Sequence, residues 1–212
     1  MTAALSDTTT FTGAGSFRAE APGDDPTGYG GLGDDVDTEF AVAAELEQTL
    51  LSALMWAPQD LAAAITEILA APRDNGADYT PFVRPVHTAV FSAIAAVATK
   101  TQPSPVLVNA RLMETGQLRS SAGGVRNTML TLAAPTNAPM TTADNIAYLA
   151  IKVVDAHYRR GYSALLTRMT QHRDESPIED LAGHWAQLTG YQQRAETDWT
   201  NRREALDALG RR

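Results

Sequence analysis

Apolar side chains in this chain return at intervals of three and four residues over most of its length. Leu46, Leu50, Ala53 and Leu54 share one face at i, i+4, i+7 and i+8, the spacing of an amphipathic helix. Leu61, Ile65, Ile68 and Leu69 repeat it after Pro58, and Val86, Val90, Ile94 and Val97 repeat it again, with Phe91 widening the stripe. Shorter runs cover Val106 to Met113 and Val125 to Leu132, and a long one extends from Thr142 to Gln171 through Ile146, Leu149, Val153, Leu165 and Met169. No stretch alternates with period two for long enough to argue for a sheet, so the pattern predicts an all-α body.

Beyond the long helix the pattern narrows. Ile178, Leu181, Trp185 and Leu188 follow a 3-then-4 spacing, continued by Gln192, Ala195, Trp199, Leu206 and Leu209. A seam that thin suits one helix packed on one partner, so the C-terminal third reads as a helical hairpin, with Gly190 expected to interrupt or bend it. Pro58, Pro85, Pro105 and Pro177 each precede a periodic run, as proline does where the chain enters a helix. Ser176-Pro177-Ile178-Glu179 reads as a capping box.

Three regions follow. Residues 1–44 read as a disordered acidic leader, 45–141 as a helical globule, and 142–212 as a long helix and hairpin. Residues 1–38 hold seven of the fifteen glycines, and residues 1–44 hold eight acids against Arg18, leaving only −1 of the total −8 for the remainder. A near-neutral body lacks the basic footprint that phosphate neutralisation needs, so direct nucleic-acid binding is expected to be weak or absent. Arg159, Arg160, Arg168, Arg202 and Arg203 are the candidates for any such contact; for Arg159 and Arg160 a solvated helix face is the default. Cysteine is absent, the N-terminus has no signal-peptide pattern, and no apolar run is long enough to span a bilayer, which together predict a cytoplasmic protein.

Candidate chemistry is sparse. The two lysines, Lys100 and Lys152, follow threonine and isoleucine, so no Gly-Lys pair exists for a P-loop, and no G-x-S-x-G or H-E-x-x-H occurs. His172 and His184 lie twelve residues apart across a turn with no cysteine or matched second pair, an arrangement that argues against a shared metal. His87 falls in the first turn of a helix among Phe82, Val86 and Val90, and reads as a hydrogen-bonded packing residue, since its own stretch offers no acid–base partner. Trp185 and Trp199 on the seam suit either packing or an interaction surface. No catalytic residue, metal or cofactor is expected.

The order of these features resembles a known family. "EQTLLSALM" (Glu47–Met55) looks like the opening helix of the N-terminal domain of DnaB-type replicative DNA helicases, with Ser52 where glycine is common. "FVRPVHTAVFSAI" (Phe82–Ile94) is similar to that family's phenylalanine-x-arginine-proline-x-histidine helix start, through Phe82, Arg84, Pro85 and His87. "QPSPVLVNARLMETGQL" (Gln102–Leu118), "AGGV" (Ala122–Val125) and "NIAYLAIKVVDAHYRR" (Asn145–Arg160) follow in the family's order. The resemblance implies a helical globule with a hairpin through which copies pair into a collar. Such a collar docks primase and, in some systems, a helicase loader, while the ATPase motor is separate and not encoded here. The expectation is therefore a non-catalytic homo-oligomer, dimer or higher, that binds primase, a replicative helicase motor or a loader. A collar mimic of phage or mobile-element type that blocks helicase assembly is the alternative. Ile178, Leu181, Trp185, Leu188 and Trp199 form the candidate self-association surface.

Overall fold

A computed structural model describes residues 34–73, 79–119, 124–134 and 142–211. Among them the chain is all-α: α1 (Asp34–Trp56), α2 (Gln59–Ala70), α3 (Pro85–Ala98), α4 (Pro105–Glu114), a 3-10 turn at Gln117–Arg119, α5 (Gly124–Leu132), α6 (Ala143–Glu175) and α7 (Leu181–Gly210). Residues 1–33 of the expected leader lie outside the described residues. Its boundary moves, because α1 begins at Asp34, well ahead of the expected start near Glu45.

The expected stripes converge on one core. Leu50, Leu51, Leu54 and Met55 of α1 meet Ile65 and Leu69 of α2, Val90 and Ile94 of α3, Val108 and Leu112 of α4 and Leu132 of α5, with Ile146, Ala150 and Val153 of α6 and Leu206 of α7 closing it. Pro85 occupies the first position of α3, and Pro105 does the same in α4 behind Ser104, whose hydroxyl accepts from the Leu107 amide at 3.3 Å. Just past the end of α4, Gly116 has a φ of 73°, the left-handed conformation that glycine adopts most readily after a helix.

Three helix C-termini are finished by donors from other helices. α2, α3 and α5 have no basic residue in their last turns. Gln59 donates to the Ala98 carbonyl at the end of α3 at 3.3 Å, and Ser52 donates to the Leu132 carbonyl at the end of α5 at 3.2 Å. Arg202 of α7 donates to the carbonyls of Ile68 and Ala71 at the end of α2. Unpaired terminal carbonyls are costly when buried, so these contacts lock the helices to one another as well as finishing each.

α6 and α7, of 33 and 30 residues, pair as an antiparallel hairpin, with Gly210 beside Ala147 at its base and His184 beside His172 near its turn. At 1.5 Å per residue each arm is roughly 45–50 Å long. The buried residues of α6 all lie between Ile146 and Arg160, so its first half belongs to the core and its second half pairs with α7. α7 runs without a break through Gly190, contrary to the expected interruption. Glycine's cost of about 1 kcal/mol within a helix is small beside the packing of Leu188 and Leu206 on either side of it. The expected capping box does not form either. α6 continues to Glu175, and Ser176 is spent on it: its amide donates to the His172 carbonyl and its hydroxyl meets His172 Nδ1 at 3.3 Å. Residues 177–180 form a turn, and α7 begins at Leu181 behind Asp180, which makes no side-chain cap.

Candidate functional site

Two features stand out: a buried polar network at the junction of globule and hairpin, and the exposed outer half of the hairpin. The network starts at Glu47, an acid on the apolar face of α1 between Ala43 and Leu50, only 1% exposed. Its carboxylate accepts from the Val83 amide at 2.7 Å and from His87 Nδ1–H at 2.7 Å, and Arg160 of α6 stands 4.0 Å away. Arg160 Nη2 donates to the Pro81 carbonyl at 2.6 Å. α1, α3, α6 and the segment leading into α3 are thereby fastened around one carboxylate.

His87 thus has an acid partner, supplied by α1 rather than by its own stretch. A histidine–carboxylate pair is the donor arrangement of an acid–base dyad, but the ring is only 2% exposed. Solvent does not reach it, and the geometry describes a structural tie. Phe82 is buried against Phe91 with ring centroids 4.9 Å apart, while the carbonyl of Arg84 accepts from the amides of His87 and Thr88. Arg84 and Pro85 are themselves exposed at the start of α3.

A second cluster abuts the first. Arg73 Nη2 donates to His157 Nε2 at 3.2 Å, which fixes the neutral ring with its proton on Nδ1. Tyr79 meets the edge of His157 with ring centroids 4.9 Å apart, and the Arg202 guanidinium lies 3.7 Å over the Tyr79 ring. Asp198 holds Arg202 at 2.9 Å. Burial, and then the neighbouring guanidinium groups of Arg160, Arg73 and Arg202, push His157 down to about 3. Burial also drives the Tyr79 hydroxyl well above its ordinary range, with Arg202 opposing. Arg160 and Arg202, expected on a solvated face or in a basic patch, are therefore internal and committed to backbone carbonyls; Arg159 and Arg203 are exposed.

The outer hairpin is different in kind. Ile178 is 83% exposed and Trp185 61%, with Leu166 and Tyr162 of α6 also in solvent. Met169, Thr170, His172, Arg173, Leu181, Ala182, His184 and Trp185 line a shallow, mostly apolar groove of about 460 Å³ beside the turn. Of the five seam residues, Ile178, Leu181 and Trp185 belong to this region, Leu181 being half-buried. Leu188 is buried within the chain. Trp199 is also committed internally, stacked on Tyr158 with centroids 5.0 Å apart and donating from Nε1 to Asp155 Oδ1 at 2.9 Å. Leu188 and Trp199 are removed from the candidate surface because one chain's own hairpin already uses them.

No family model, curated protein or solved structure matches the chain.

The hairpin brings His172 and His184 together with parallel rings, 3.9 Å apart and inclined by 10°. Rings stacked face to face do not converge their nitrogens on one point, and among the described residues no group of three or more histidine or acidic side chains is placed to hold a metal ion. No helix among the described residues is long and apolar enough to cross a membrane. Glu47, His157 and Tyr79 were outside the sequence-based candidates. Glu47 was findable as an acid on an apolar stripe, and His157 as a continuation of the Ile146–Ala150–Val153 stripe.

Proposed function

We propose that this chain is a non-catalytic, cytoplasmic protein-interaction module of DNA replication, similar in role to the N-terminal collar domain of DnaB-type helicases. It self-associates through the outer half of the hairpin and docks primase, a replicative helicase motor or a helicase loader on the assembly so formed. The observation that supports this reading is the contrast along the hairpin. Its base is fastened to the globule by Arg160, Arg202 and Leu206, whereas its outer half leaves Leu166, Ile178 and Trp185 in water. An apolar strip presented on a projecting helical arm is the form that protein–protein contacts use, with tryptophan a preferred anchor. The motif order of Glu47–Met55, Phe82–Ile94 and Asn145–Arg160 supplies the replication context.

Size-exclusion chromatography with light scattering tests the self-association step. Protein at tens of micromolar is expected to elute with the mass of a dimer or a higher oligomer; a strictly monomeric mass removes hairpin pairing from the proposal. Addition to a reconstituted helicase–primase reaction tests the docking step. Stimulated priming supports a scaffold, lost unwinding supports a collar mimic that blocks assembly, and no effect on either removes the replication partner.

A further inference from the structure

We propose that the stacked imidazoles of His172 and His184 form a proton-sensitive clasp that holds the two arms of the hairpin together at its tip and loosens when both rings are charged. His172 lies in the last turn of α6 and His184 in the first turn of α7, so the pair bridges the helices on either side of the five-residue turn. Centroids 3.9 Å apart and nearly parallel planes put the two rings in direct van der Waals contact. Two cations at that distance repel even in water, and more strongly where protein displaces solvent. The base of the hairpin carries Arg160, Arg202 and Leu206 to resist opening, whereas the tip has an open groove and exposed neighbours.

The surroundings set the sign. Arg168 stands one turn before His172 on α6 and Arg173 follows it, and both add positive charge. Arg173 is engaged by Asp174 at 2.7 Å, while Glu175 offers partial compensation and Ser176 bonds to Nδ1 of His172 at 3.3 Å. In the turn before α7, Asp180 precedes His184 by four residues, and Leu181 and Trp185 of α7 complete the lining. Consistent with the geometry, desolvation first, then His184 and Arg168, lower the affinity of His172 for a proton. Neutral rings keep the clasp shut; acidification charges them in two coupled steps, the second being the one that parts the arms.

Trp185 lines the same groove as both histidines and reports on it. The full-length chain, labelled with 15N and 13C, is titrated from pH 7.5 to 5.0 while the imidazole carbons and the Trp185 indole N–H, assigned with Trp185→Phe, are followed by NMR. Both imidazoles are expected to follow one shared two-step curve rather than two unrelated ones. The indole peak is expected to move with the second step while core amides of α1 and α3 stay fixed. His184→Gln should leave a single titration and a stationary indole peak, and His184→Phe, which keeps a stacked ring without a charge, should keep the tip closed throughout. The proposal is overturned by independent titrations with an unmoved indole peak, or by an indole shift that persists in His184→Gln. It is likewise overturned by a response that changes between protein concentrations tenfold apart, which would assign the effect to association.

Discussion

Glu47 is the residue on which several parts of the fold depend. Its carboxylate is the acceptor for the Val83 amide and for His87, and the nearest anion to Arg160. Removing its charge leaves the buried Arg160 guanidinium without its counter-charge and the His87 Nδ1–H without its carboxylate acceptor, and breaking such a buried pair costs about 3–5 kcal/mol. Glu47→Gln is accordingly expected to lower the urea midpoint by the equivalent of about 3 kcal/mol, with a larger loss for Glu47→Ala. His157 gives a second residue-scale test. Its pKa is pushed from 6.5 down to about 3 in the folded protein, so between those values the unfolded chain binds a proton that the folded one refuses. The stability it contributes is fully present above pH 6.5 and is lost as pH falls toward 3, on the order of 2–3 kcal/mol by pH 4.5. Denaturation curves at pH 7.5 and 4.5 measure that loss, and His157→Gln, which still accepts from Arg73, should reduce the difference. At this scale the sequence is half legible. An acid on an apolar stripe is visible in the string of letters, but its partner His87 stands 40 positions away and only the fold pairs them.

Helix positions were readable because burial imposes the helical period, and the stripes through Leu50, Ile65, Val90 and Ile146 all face the core. Helix ends were less readable, and the reason is physical. Where a terminus is finished by nearby residues, as at Ser104-Pro105, local sequence marks it. Where it is finished by a distant side chain, local sequence carries no sign, as at the ends of α2, α3 and α5. At Gly190 tertiary packing overrides the local signal, and at the Ser176–Glu179 box the serine is taken up by the end of α6 instead. Ser52 departs from the resembled pattern by carrying a hydroxyl, and that hydroxyl is what reaches the end of α5. Arg202 is the strongest case among the element-scale contacts, since one guanidinium serves two carbonyls of α2, one aromatic ring and one carboxylate. Arg202→Met keeps much of the apolar stem and loses the rest, and is expected to cost about 3 kcal/mol in urea denaturation. Arg202→Lys should recover little of it, because an ammonium does not fork between two acceptors.

For the whole molecule, the division between a fastened base and an open tip separates the residues that hold the fold from those left to the proposed self-association. Ile178 and Trp185 contribute little to the folded chain, being largely in solvent. The double variant Ile178→Ser/Trp185→Ser is expected to melt within about 2 °C of the parent, as exposed substitutions usually do, while shifting the light-scattering mass toward the monomer. A helical hairpin was legible from the narrow seam, but the identity of its outward face was not: periodicity marks a stripe without telling which members a partner helix covers, and within the chain Leu188 is buried and Trp199 half-buried against Tyr158. The same architecture has a kinetic consequence. The Arg202 contacts to Ile68 and Ala71 span 134 and 131 positions, and Leu206 fills the core from nearly the last turn of α7. A ribosome must therefore release most of α7 before the globule is complete, so a nascent chain carrying α1 to α5 waits with the end of α2 uncapped and a gap where Leu206 belongs. Long-range closure of that kind slows folding and leaves apolar surface open to other contacts in the interval.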